Sequence, residues 1–173
     1  MSATRLNIRL AELLDRVDQR RDWHFLAILY VCRWIVLLPY TAIVRLVSGE
    51  VPAEDIELAS LGITVLFVVM VIVGPLLETF VECTLPYSIL RRLRKTALPP
   101  RPWGFVFASA LIMVALHPYL IALYPTVVTG VFLAYCYAHF VVRGAIWAIA
   151  YTTAFHAAIN IVGWTMLVVS ALT

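Results

Sequence analysis

The sequence predicts an all-α integral membrane protein of about five transmembrane helices, preceded by an N-terminal amphipathic helix. Composition is the first reason: 63% of the 173 residues are hydrophobic and 13% are charged, with a mean hydropathy of +0.94. That is far more apolar surface than a soluble domain of this size can bury. The apolar residues also come in runs of about 20, the length that crosses a hydrocarbon core of ~30 Å. Finally, most charges fall between the runs: only two of the ten acidic residues, Glu78 and Glu82, lie inside them.

The first element is the charged stretch over residues 1–23. Its apolar residues Leu6, Leu10, Leu13, Leu14 and Val17 fall on one face of a helix whose other face is charged. Two placements are open for it, flat on the cytoplasmic membrane surface or packed as a cytoplasmic helix on a partner or on the protein's own loops. It has no short basic start followed by an apolar core, so it does not read as a cleavable signal peptide. The remainder, residues 24–173, is expected to form a single transmembrane domain.

The runs within it are 25–47, 58–90, 103–123, 125–142 and 145–172. The second, at 33 residues, would be ~50 Å long as a straight helix, so it must bend, tilt or protrude. Gly74-Pro75 is the expected break, because proline removes a donor and clashes with the carbonyl four residues back. Cys32, Cys83 and Cys136 lie singly within runs and are expected to be buried thiols.

Loop charge sets an orientation. Arg5, Arg9, Arg16, Arg20 and Arg21 precede the first run, and Arg91, Arg92, Arg94, Lys95 and Arg101 fill the second connection, with Arg143 in the fourth. The first connection carries Glu50, Glu54, Asp55 and Glu57 and no Lys or Arg. The positive-inside rule then places the chain in the cell (inner) membrane, N-terminus cytoplasmic and C-terminus outside. With the basic residues sorted by loop, the net charge of +3 forms no patch for nucleic acid.

An acidic residue inside a span is a candidate site whose partner must be found. Counting from the basic ends, Glu78 is 13 residues from Arg91, His117 is 14 from Trp103 and His156 is 13 from Arg143, each ~20 Å of helix. Three polar residues on three helices thus share one level. Asn160 lies one turn beyond His156 on the same face. Glu82 falls nearer the cytoplasmic side, at the level expected for Arg33 of the first run, and an Arg33–Glu82 ion pair is the predicted structural role of both.

A poorly solvated carboxylate with two imidazoles and an amide is the donor and acceptor set that hydrolysis needs: a base for water, and donors for the oxyanion that forms on the attacked carbonyl. Glu78 can be the base, with His117 holding or polarising the water, and His156 with Asn160 can supply oxyanion contacts. Other intramembrane chemistries fit less well. There is no His-Glu-x-x-His helix, no Gly-x-Ser-Gly segment and no Asp within any run. Glu78, His117 and His156 could ligate a metal, but their spacing is not diagnostic of one.

The segment Gly74-Pro75-Leu76-Leu77-Glu78-Thr79, then His117 ending an apolar run, then His156-Ala157-Ala158-Ile159-Asn160, resembles the CPBP family of intramembrane glutamic proteases. That family includes type II CAAX prenyl proteases and bacteriocin-processing or self-immunity proteins. The resemblance covers about residues 58–164, the family's four-helix core. It implies Glu78 as general base, His117 as its companion and His156 with Asn160 as the oxyanion pair, with no cofactor and no metal. The family's double glutamate reads Glu78-Thr79 here, its following Arg falls at Cys83, and the Phe four residues before the first His is Met113.

Two functions are therefore expected in competition. One is a metal-independent endopeptidase acting near or within the bilayer on a membrane-associated peptide or protein. The other is a catalytically inactive CPBP-like adaptor or immunity protein that works by protein–protein contact. Membrane lipid is a partner in both, and other membrane subunits fit either.

Overall fold

The computed structural model describes residues 22–48, 62–94, 103–117 and 123–172. The stretch expected to be amphipathic lies outside the described residues up to position 21, as do most of the connections. What is described is helical, with no strand among the described residues. Helix α1 is Asp22–Ser48. Helix α2 runs without interruption from Ile63 to Arg94, through Ile63–Phe67, Val68–Val73, Gly74–Glu78, Thr79–Thr84 and Leu85–Arg94. Helix α3 is Trp103–Leu116, α4 is Leu123–Phe140 and α5 is Ala145–Leu172, the last two joined by a tight turn at Val141–Arg143.

Four helices, α1, α2, α4 and α5, are long and apolar enough to cross a membrane. Helix α3 is apolar too, but its 14 residues rise only ~21 Å, short of a full hydrocarbon core. Side chains such as Ile35 and Leu38 on α1, Leu77 and Phe80 on α2, Leu111 on α3 and Ile161 on α5 are exposed. Such an apolar exterior is what lipid covers. The core is built around α4, the most enclosed of the helices, with Leu133, Ala134, Cys136, Tyr137 and Phe140 buried against Phe25, Phe105 and Phe155.

Helix α1 lies antiparallel on α4 in a register pinned along its length. At one end Asp22 accepts hydrogen bonds from Arg143 at 2.6 Å and Tyr151 at 3.0 Å, and Phe25 stacks on His139 with ring centroids 3.8 Å apart. Farther along, Tyr124 donates to the Val36 carbonyl at 3.0 Å. Cys32, expected to be buried, is exposed on the outer side of α1, whereas Cys83 and Cys136 are buried as expected.

Helices α3 and α4 approach closely at Gly130, where a β-carbon would lie 2.9 Å from the Ala110 Cα and 3.2 Å from the Met113 Sδ. Absence of a side chain there lets the two backbones approach, as small residues do between membrane helices.

The expected break in α2 is present in another form. The backbone does not leave the helix at Gly74-Pro75 but widens before it. Gly74 N–H bonds the Val69 carbonyl, five residues back, and Leu85 N–H bonds the Phe80 carbonyl, also five back. Each donor directly precedes a proline, Pro75 or Pro86. A proline ring presses on the carbonyl four residues before it, and a wide turn moves that carbonyl away. The wide turns also keep one face inward. Leu66, Val71, Pro75, Thr79, Glu82, Cys83 and Pro86 are buried, and five turns at 3.6 residues would cover only roughly 18 of the positions this stripe spans.

Over its first half, to Glu78, α2 packs chiefly on α5, and from Thr79 onward it engages α3 and α4 as well. The described helices thus fork at Glu78. Replacing Gly130 by Ala is expected to lower stability by about 1–3 kcal/mol, the range for overpacking. Gly163→Ala, where a β-carbon meets nothing within 4 Å, should not lower it. Reversible unfolding in mixed micelles measures both.

Candidate functional site

Glu78 and His156 meet at the fork. Glu78 ends the regular turn after Pro75, and His156 stands near the middle of α5, 13 residues from Arg143. The His156 Nε2 lies 3.2 Å from the Glu78 Oε2, with the imidazole side chain 3% exposed and the carboxylate 28%. The pair therefore has an enclosed half and an accessible half. The imidazole Nδ1 is buried without a hydrogen-bond partner among the described residues.

His117 follows the last turn of α3. Its Nδ1 is 3.0 Å from the Met113 carbonyl, a contact only an Nδ1–H can make, so in the neutral ring the Nε2 is the acceptor. It interacts electrostatically with both Glu78 and His156. Of the three residues that counting places at one level, Glu78 and His156 are in direct contact.

Asn160 is held by something else. Its Nδ2 donates to the Met70 carbonyl on α2 at 2.8 Å, and that carbonyl needs a donor. Its partner in a regular helix would be Gly74 N–H, already given to Val69, and its partner in a wide turn would be Pro75, which has no N–H. Proline therefore leaves one carbonyl of α2 unmet, and a side chain of α5 meets it. One of the two Nδ2 hydrogens is spent this way and the other remains. Nearer the end of the same seam, Trp164 Nε1 donates to the Ile63 carbonyl at 3.4 Å.

The Arg33–Glu82 ion pair is not formed. Arg33 Nε and Nη2 donate to the Thr129 hydroxyl of α4 at 3.1 and 3.0 Å. Both carboxylate oxygens of Glu82, which is 1% exposed, have no hydrogen-bond partner among the described residues. The cause lies at the start of α1. Asp22, and not Phe25, is the residue level with Arg143, so Arg33, ~17 Å farther along the helix, stands close to the level of His156 and of Thr129.

Counting residues also missed Thr79 and Ser109, whose buried hydroxyls have no hydrogen-bond partner among the described residues, and Thr152, buried beside the Cys136 thiol. The two threonines fall at i+1 from Glu78 and i−4 from His156, the only signal that could have pointed to them. His24 and His139, by contrast, are stacked on Trp23 and Phe25, away from Glu78.

Comparison with family models, with curated proteins and with solved structures finds no match. The site therefore stands on its own geometry.

The Asn160–Met70 bond makes two substitutions interdependent. Asn160→Ala is expected to cost about 1 kcal/mol, the scale of an interhelical hydrogen bond in a membrane protein. In a Pro75→Ala background, where residue 75 regains an N–H, the cost of Asn160→Ala should fall toward zero. A double-mutant cycle of unfolding free energies reads the coupling.

Proposed function

We propose that this chain is a membrane-embedded endopeptidase in which Glu78 activates water without a metal. The observation that carries the reading is the 3.2 Å contact between Glu78 and His156 at the fork of the helices, with the carboxylate still partly accessible. The order of Glu78, His117, His156 and Asn160 along the chain, and its resemblance to the CPBP intramembrane proteases, supports the same assignment.

In the proposed reaction a water held between Glu78 and the His117 Nε2 gives one proton to the Glu78 carboxylate as its oxygen bonds to the peptide carbon. The carbonyl electron pair moves onto oxygen. Collapse of the tetrahedral species re-forms the carbonyl and breaks the carbon–nitrogen bond, and the proton on Glu78 passes to the leaving nitrogen. His156 orients the carboxylate through Nε2. Asn160, fixed by one N–H on Met70, offers the other to the oxyanion. A donor already anchored by its second hydrogen bond needs no reorganisation when charge develops.

One observation favours a second reading, an inactive adaptor with the same fold. The Asn160 amide has a purely structural job in closing the α2 backbone, which a protein without catalysis would also need. The two readings differ in what Glu78 does.

Glu78→Gln keeps the shape of the side chain and removes the base, so cleavage should fall by about 10²–10⁴-fold while insertion and folding are retained. Membrane fractions with wild-type and variant chains, compared by mass spectrometry of released peptides, provide the measurement. Identical peptide profiles from the two would sink the peptidase reading and favour the adaptor.

A further inference from the structure

One nitrogen of His156 has no assigned role. Its Nε2, 3.2 Å from the Glu78 Oε2, is an N–H there, because a carboxylate only accepts. In the neutral ring the Nδ1 is then a lone pair, and it is buried without a hydrogen-bond partner among the described residues. A buried acceptor of this kind calls for a donor.

Glu82 has the complementary defect. It is 1% exposed, and neither of its oxygens has a hydrogen-bond partner among the described residues. A carboxyl so enclosed, with no cation or N–H against it, is stable as the neutral acid. As an acid it carries one O–H that needs an acceptor.

The fold brings the two defects together. Glu82 follows Glu78 by four residues on the uninterrupted helix α2, on the same face, with β-carbons ~6 Å apart. Side chains on a helix lean toward its start, and Glu78 does so: its Oε1 is 3.6 Å from where a β-carbon of Gly74 would stand. Helices α2 and α5 are antiparallel, since Ile63, Met70 and Glu78 meet Trp164, Asn160 and His156 in that order. Glu82 therefore leans toward the level of Glu78, and His156 leans the opposite way, toward Thr79–Thr84, a segment that α5 also contacts. The acid and the imidazole share no direct hydrogen bond, so a water is the link between them. The Thr79 hydroxyl, three residues before Glu82, is fully buried and also without a partner among the described residues. With the Glu82 O–H and the His156 Nδ1 it gives such a water the three polar partners that buried water typically has.

We propose that Glu82 is a positioning residue of the Glu78–His156 contact: through one water shared with Thr79, its carboxylic O–H supplies the donor for His156 Nδ1 and keeps the imidazole proton on Nε2, facing Glu78. Which ring nitrogen carries the proton is set by the bond that the other one makes. The inference deepens the peptidase reading, and only its bearing on catalysis rests on that reading. Arg33 Nη1 is the other buried donor without a partner among the described residues, and the experiment separates it from Glu82.

The test is nitrogen-15 solid-state NMR of the full chain in lipid bilayers, with labelled histidine and the His156 signals assigned by their loss in His156→Gln. In the wild type, Nε2 should be protonated and Nδ1 unprotonated with the shift of a hydrogen-bonded nitrogen. Infrared spectra should show a carboxylic acid band that is lost in Glu82→Gln. Glu82→Gln, which still offers an N–H, should keep the Nδ1 shift, whereas Glu82→Leu should move it toward that of a free nitrogen or transfer the proton to Nδ1. Arg33→Gln should leave it in place.

A proton on Nδ1 in the wild type, or no acid band assignable to Glu82, overturns the proposal without any variant having to fold. So does an Nδ1 shift that ignores Glu82→Leu, or one that responds to Arg33→Gln alone. The spectra are read whether or not the chain cleaves anything. A tautomer held by Glu82 in a chain that hydrolyses nothing supports the proposal and removes only the peptidase reading.

Discussion

A helix surrounded by hydrocarbon must satisfy its own carbonyls, and Pro75 prevents α2 from doing so. The wide turn before the proline gives Gly74 N–H to Val69 and leaves Met70 to be met from another helix. Asn160 meets it, and in doing so fixes α5 against the first half of α2. His156 lies one turn from Asn160 on the same helix, so this backbone repair also sets where the imidazole stands relative to Glu78. The contact at the fork is thus partly a consequence of a missing N–H.

The same wide turns explain why so much of α2 can face inward. A regular helix would rotate its buried stripe away from α5 within a few turns. With two enlarged turns, Leu66 at one end and Pro86 at the other stay on one side, and Thr79, Glu82 and Cys83 are drawn into the core between them. Glu78, at the edge of that stripe, remains partly accessible. The two carboxylates therefore differ by position on one stripe: one sits at the opening between helices and the other is closed in behind it.

Much of this was legible in the sequence because it depends on length and on counting. Apolar runs gave the helices, and distance from Arg91 and Arg143 placed Glu78 and His156 together, since α5 is regular and the lower part of α2 adds only one wide turn between Arg91 and Glu78. Where the count failed, it failed for stated causes. Arg33 was measured from Phe25, but the residue paired with Arg143 is Asp22, which sets Arg33 a turn deeper, beside Thr129. The duty of Asn160 was hidden because it depends on a change of helical winding, which a period of 3.6 residues does not express. Proline marked the place correctly and its consequence only in part.

The pairing of Asn160 with Met70 joins positions 90 residues apart, and the chain is made in order. At about 5–20 residues per second, α2 is complete roughly 3–13 s before the amide that closes its backbone has been synthesised. During that interval the Met70 carbonyl must be kept by water, by the insertion machinery or by a temporary neighbour, so α2 enters the bilayer as an unfinished helix. Arrival of the fifth helix is therefore the step that makes the second one a stable membrane segment, and assembly of the site and completion of α2 become a single event late in biosynthesis.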